Sequence, residues 1–108
     1  MDDGCEECIR QVLEAYRKTP GTMGTVHRAD RMLAAQLCQR GVSASVIENA
    51  FVLAAARRLM RPADVPPLGT IRSLAYFLPV IEEVLGMPVS PEYFQHVRRK
   101  LARITDNR

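Results

Sequence analysis

Near its start the chain reads CEEC, Cys5 to Cys8, with the two-residue gap of a zinc knuckle or a redox pair. A tetrahedral zinc site needs a second pair of ligands. The remaining candidates are Cys38, His27 and His96, none in paired spacing. Cys5 and Cys8 also fit the apolar stripe of a helix, so they are expected to be thiols on that stripe, with no metal and no cofactor. Three cysteines are an odd number. A disulfide framework is therefore not expected, which points to a reducing compartment.

The other chemistry-bearing residues are mostly arginines. VHRADR, Val26 to Arg31, holds His27, Arg28 and Arg31 around a helix start, where backbone N–H groups can meet a phosphate. The favoured reading there is a solvated face with Asp30 held near an arginine. Arg57, Arg58 and Arg61 gather at the end of a helix, and Arg98, Arg99, Lys100 and Arg103 gather toward the end of another. The helix dipole stabilises cations at such ends. Two clusters exceed what capping requires, and they could join into one phosphate-binding patch if the two ends lie together. Glu82 and Glu83 are neighbours that point about 100° apart on a helix, a poor geometry for paired acid–base work. No glycine-rich phosphate loop, nucleophile triad or metalloprotease helix is present, so no enzyme is expected.

The charge balance agrees with an anionic partner. The net charge is +3 over 108 residues, but five of the 12 acidic residues lie within the first 14 positions. From Ala15 onward there are 14 basic residues against 7 acidic ones, and 13 of the 15 basic residues in the chain are Arg. The planar guanidinium binds phosphate through a fork, which suits nucleic acid. A GC-rich genome would also encode Arg and Ala freely.

These residues must be held by helices. Length fits one domain, 1–108, and a hydrophobic content of 47% suffices for one core. No apolar run reaches the roughly 20 residues of a membrane span. The acidic start does not resemble a signal peptide, so a cytoplasmic protein is expected. Apolar spacing predicts a first helix over about 4–18, with Cys5, Cys8, Ile9, Val12, Leu13 and Tyr16 on one face. A second is expected over about 26–40, burying Val26, Ala29, Met32, Leu33 and Leu37, with Cys38 a further candidate for the stripe, and stopped by Gly41. A third starts at a Ser43 or Ser45 cap and buries Val46, Ile47, Ala50, Phe51, Leu53 and Ala54. RPADVPPLG, Arg61 to Gly69, carries three prolines in nine residues and reads as an ordered connector.

The next segment, capped by Thr70 or Ser73, carries Ile71, Leu74, Phe77, Leu78, Ile81, Val84 and Leu85 up to Gly86. Pro79 interrupts it. The favoured reading is one helix kinked at Pro79; the other is a separate turn over 73–78 joined to a helix that starts at Pro79. Arg72 is assigned a structural role, tying Asp64 or a connector carbonyl to the helix, in preference to a DNA contact. The last helix has Ser90 as cap and Pro91 as its first residue, buries Phe94, Val97, Leu101 and Ile104 with Tyr93 beside them, and turns its cations outward. The ends, 1–4 and 105–108, are expected to fray. The fold class is all-α, a compact bundle of about five helices.

GVSASVIENAFVLAAARR followed by IRSLAYFLPVIEEVLG resembles the C-terminal DnaD-like domain of replication initiation proteins. The likeness covers about 26–86 and rests on Gly41, Val46, Ile47, Ala50, Tyr76, Ile81 and Leu85. The connector with Pro62, Pro66 and Pro67 is longer than the family's link, and the family's tryptophan after the last helix is missing. PLGTIRSLAYFLPVIEE is also similar to C-terminal segments of replication or helix-turn-helix proteins encoded by bacterial mobile elements. The resemblance implies DNA association in replication, with protein partners such as helicase loaders, and a DNA contact within 90–108. From charge alone the same tail is singled out. The expectation is a non-enzymatic nucleic-acid-binding accessory protein, DNA favoured and RNA possible. The rivals are a helical protein–protein interaction module and a small RNA-binding subunit of a ribonucleoprotein.

Overall fold

The third helix is the axis on which three of the other helices are laid. In the computed structural model, which describes residues 3–62, 64–66, 68–86 and 91–106, the helices are α1 (Asp3–Lys18), α2 (Arg28–Gln39), α3 (Ala44–Leu59), α4 (Leu78–Gly86) and α5 (Pro91–Asp106). A 3-10 turn, Leu74–Phe77, leads directly into α4. Helices α1, α4 and α5 pack against α3, and α2 packs against α1. The chain is thus an all-α bundle of five helices, with no strand among the described residues.

Ile47, Ala50, Phe51, Leu53, Ala54, Ala55 and Ala56 of α3 are all buried. A helix that is apolar nearly all round must be enclosed by its neighbours, and the consecutive alanines let them approach closely. Ser43 starts it, its Oγ accepting the N–H of Val46 at 3.2 Å. At the centre, Tyr16, Phe51 and Phe77 form a ring cluster, with Phe51 and Phe77 centroids 4.7 Å apart and edge-on.

Between α2 and α3 the chain reverses through Gly41, whose φ of +88° strains any residue with a Cβ. The N–H groups of Gly41 and Val42 return to the carbonyls of Cys38 and Leu37, and Val42 is buried, which is a Schellman stop.

Several expectations are corrected. In α2 the buried residues are Asp30, Ala34, Leu37 and Cys38, whereas Ala29 and Met32 are exposed. The stripe is rotated because a carboxylate, not a methionine, is drawn inward. Ile71 does not belong to a helix. It forms an isolated parallel bridge with Thr22, its N–H donating to Gly21 at 2.7 Å and its carbonyl accepting from Met23 at 3.2 Å.

The favoured single kinked helix gives way to two elements. Ser73 caps the 3-10 turn, accepting from Ala75 at 3.0 Å, and Pro79 is the second residue of α4. A proline in the first turn has no N–H bond to forfeit, so its structural role is that of a starter and not a hinge. Leu85 and Tyr93 are exposed, and Leu101 is half-buried. Backbone helix begins at Asp3 and continues to Asp106, within the ends expected to fray. The expected cap Ser90, Pro67 and the side chain of Ile104 fall outside the described residues.

The expectation against disulfides is also overturned. Cys8 of α1 and Cys38 of α2 are bonded, with Cα atoms 6.2 Å apart, and Cys5 is free. An odd count excluded a complete framework but not one bridge with one thiol left over.

Candidate nucleic-acid interface

Phe94 and Val97 of α5 are buried, and Arg98 donates to Asn49 Oδ1 of α3 at 2.5 Å. These contacts fix the rotation of α5 about its axis. His96, Arg99, Lys100 and Arg103, spaced three and four apart, then share one outward face. They line a shallow hollow of about 280 Å³. All four are exposed, and among the described residues none makes an ion pair or hydrogen bond. His96 is not among the residues that charge singles out for this surface. Its position three residues before Arg99 is the signal that could have found it.

The cluster at the end of α3 is different. Arg57 makes a two-pronged pair with Glu83 of α4, at 2.8 and 2.5 Å. The pairing holds the Glu83 carboxyl below its ordinary range and raises the Arg57 guanidinium. Arg58 donates to the Gly69 carbonyl at 2.6 Å and to the Tyr76 hydroxyl at 3.2 Å, and lies over the Tyr76 ring. Arg61 donates to the Pro66 carbonyl at 3.1 Å. Arg57, Arg58 and Arg61 are therefore engaged in holding α4 and the connector.

The tie to the connector expected of Arg72 is made by Arg58 and Arg61. Arg72 is exposed and unpartnered among the described residues. Ile71 is turned into the core by its bridge, and alternation along extended chain sends the next side chain outward. Gly21 completes this crossing. Its φ is +96°, and a Cβ there would stand 3.1 Å from Arg58 Nε.

At the start of α2, His27, Arg28 and Arg31 are exposed, but Asp30 is neither solvated nor held by an arginine. It is 2% exposed, and its carboxylate accepts the backbone N–H groups of His27 and Leu74. His27 Nδ1 lies 3.6 Å from the same carboxylate. An anion already sits at this helix terminus, which reduces its attraction for a phosphate. Arg31 also borders a groove between α1 and the loop before α2, floored by Ile9, Leu13 and Val26.

The two arginine clusters do not join. Tyr93 lies near Arg57, close to the end of α3, while Arg98 meets Asn49 nearer its beginning. Helices α3 and α5 are therefore antiparallel, and the stretch of α5 that carries Arg99, Lys100 and Arg103 lies toward the start of α3, away from the Arg57–Arg61 end. Glu82 and Glu83 are divided between Arg40, at 3.2 Å, and Arg57. Among the described residues no group of three His, Cys, Asp or Glu side chains is arranged to hold a metal ion, and no helix is long and apolar enough to cross a membrane.

Compared with known proteins, the chain matches no family model, no curated protein and no solved structure.

Proposed function

We propose that this protein is a non-enzymatic nucleic-acid-binding accessory domain that grips phosphates along α5. One observation carries the reading. His96, Arg99, Lys100 and Arg103 share a face with no intramolecular partner among the described residues, whereas Arg57, Arg58 and Arg61 are all engaged. The unpaired cations Arg99, Lys100 and Arg103, at helical spacing, suit a row of phosphates and contact them without reading bases. Tyr76 and Tyr93 are the exposed aromatic rings, and Tyr76 is covered by Arg58, so base stacking has a poor platform. DNA is favoured over RNA by the likeness to replication proteins, which is also the basis for a replication or mobile-element role and for a bacterial setting, and a cytoplasmic location is proposed with that role. The Cys8–Cys38 bond removes the cysteine count from the support for that location.

The test is a gel-shift titration with single-stranded DNA, duplex DNA and RNA at two salt concentrations. Replacing Arg99, Lys100 and Arg103 by Ala should weaken binding about equally across sequences. It should flatten the salt dependence by about three units of slope, near one for each phosphate that is no longer neutralised. Equal binding by the triple variant sinks the α5 surface. If the parent binds neither DNA nor RNA at low salt, the interaction-module reading takes over, and the groove over Ile9, Leu13 and Val26 becomes its first candidate surface.

A further inference from the structure

The three cysteines meet at one place. Cys5 and Cys8 are one turn apart on α1, Cys38 is bonded to Cys8, and all three line the same shallow pocket with Gln11, Val42 and Ser43. Cys38 is 8% exposed. Cys5 and Cys8 are half-buried and reachable from solvent. We infer that Cys5, Cys8 and Cys38 form a thiol–disulfide exchange site, in which Cys5 takes over Cys8 from Cys38 and passes the disulfide to small thiols of the glutathione class.

The first step is redox-neutral. Cys5 gives its proton to solvent, and its thiolate attacks Cys8 Sγ. A Cys5–Cys8 bond forms, the Cys8–Cys38 bond breaks, and Cys38 leaves as a thiolate that regains a proton. Residues three apart on a helix have Cβ atoms about 5–6 Å apart, and a disulfide needs about 3.5–4.5 Å. The shortfall falls on the first turn of α1, where Cys5 is the third residue and the helix has few bonds to break.

In the second step, a glutathione thiolate attacks Cys5 Sγ, giving a mixed disulfide and the Cys8 thiolate. A second glutathione attacks the mixed disulfide and leaves Cys5 as a thiol with glutathione disulfide as product. Two electrons pass from two glutathiones to the protein. The bridge between α1 and α2 is thereby opened through an accessible sulfur, with no attack on buried Cys38.

Trypsin reads the exchange directly, because Cys5 and Cys8 share the peptide 1–10 and Cys38 lies in 32–40. The parent is equilibrated in a glutathione redox pair, alkylated, digested and analysed by mass spectrometry. Two species are expected: the cross-linked pair of peptides, and a 1–10 peptide closed by an internal disulfide beside alkylated Cys38. In Cys5→Ser the internal loop vanishes, and release of Cys38 to alkylation slows at least about tenfold, since a neighbouring thiol acts at a far higher effective concentration than an added one. Finding only the cross-linked pair with fully alkylated Cys5, or no protein disulfide at all, overturns the inference. The parent's own equilibrium decides the matter even if Cys5→Ser misfolds.

Discussion

Asp30 Oδ1 accepts the backbone N–H of Leu74 at 2.9 Å, joining the start of α2 to the 3-10 turn 44 residues later. The other oxygen, Oδ2, accepts the N–H of His27 at 2.9 Å and so closes the first turn of α2. One buried carboxylate therefore serves as a local cap and as a long-range clamp. Asp30→Ala strands the buried N–H of Leu74, which costs about 1–3 kcal/mol, and takes the capping partner from the part-buried N–H of His27, which costs about 1 kcal/mol. A loss of about 2–4 kcal/mol in urea denaturation is expected, with Asp30→Asn falling between the variant and the parent. A loss below about 0.5 kcal/mol, the scale of an ordinary surface substitution, would show that the clamp is ornamental.

Tyr16 gives a spectroscopic view of the same region. It is fully buried, and its hydroxyl has no hydrogen-bond partner among the described residues. Burial, and then the charge of Asp30, raise its pKa above the ordinary value of 10.0. A raised folded-state pKa means that the folded chain holds its proton where the unfolded chain has released it. Its contribution to stability is complete below about pH 10 and is lost as pH rises through the raised value. Tyrosinate absorbance should show a component above the ordinary range that is missing in Tyr16→Phe. That substitution should cost less than about 0.5 kcal/mol, because the hydroxyl it removes makes no bond.

The five-helix plan was legible because caps and apolar spacing are local signals. Ser43, Gly41 and the alanines of α3 announce their element within a few residues. What stayed hidden depends on partners distant in the chain. Met32 looks more suited to the core than Asp30 until Leu74 supplies the N–H that makes a buried carboxylate tolerable. Ile71 continues a helical stripe in the sequence, yet Gly21 and Met23 recruit its backbone into a bridge. That bridge then turns Arg72 outward and leaves the connector to Arg58. The Cys8–Cys38 bond spans 30 residues, and no spacing rule forecasts such a pairing. On α5 the outward turn of Arg99, Lys100 and Arg103 was legible from Phe94 and Val97. The separate employment of Arg57, Arg58 and Arg61 was not, since Glu83 and the connector carbonyls lie in other elements.

Glu83 offers a second titration. Its hydrogen bonds to Arg57 hold its carboxyl below the ordinary value of 4.5. A depressed folded-state pKa contributes stability that is present above the unfolded value and fades as pH falls through the folded one. Side-chain carbonyl NMR should therefore show Glu83 titrating below the ordinary range in the parent and returning toward it in Arg57→Ala. Both side chains are substantially exposed, so salt should weaken the pairing. An unchanged Glu83 midpoint in Arg57→Ala would show that the pair does not persist in solution.

Arg98 and Arg99 are adjacent, yet the structure gives them different work. Arg98 ties α5 to Asn49 of α3 at 2.5 Å, while Arg99 stands on the open face with His96, Lys100 and Arg103. Arg98→Ala removes a charged hydrogen bond from a solvent-exposed site, where such bonds are worth less than buried ones, so a stability loss of about 0.5–1 kcal/mol is expected. Its salt slope for nucleic acid should change little. Arg99→Ala should do the reverse, leaving stability within about 0.5 kcal/mol and lowering the slope by about one unit. Paired denaturation and salt-titration measurements on the two variants separate a tether from a phosphate contact. If both variants lower the slope equally, Arg98 leaves Asn49 to reach the ligand, and the surface extends around α5. If neither lowers it, the α5 face does not touch phosphate, and its cations are merely solvated.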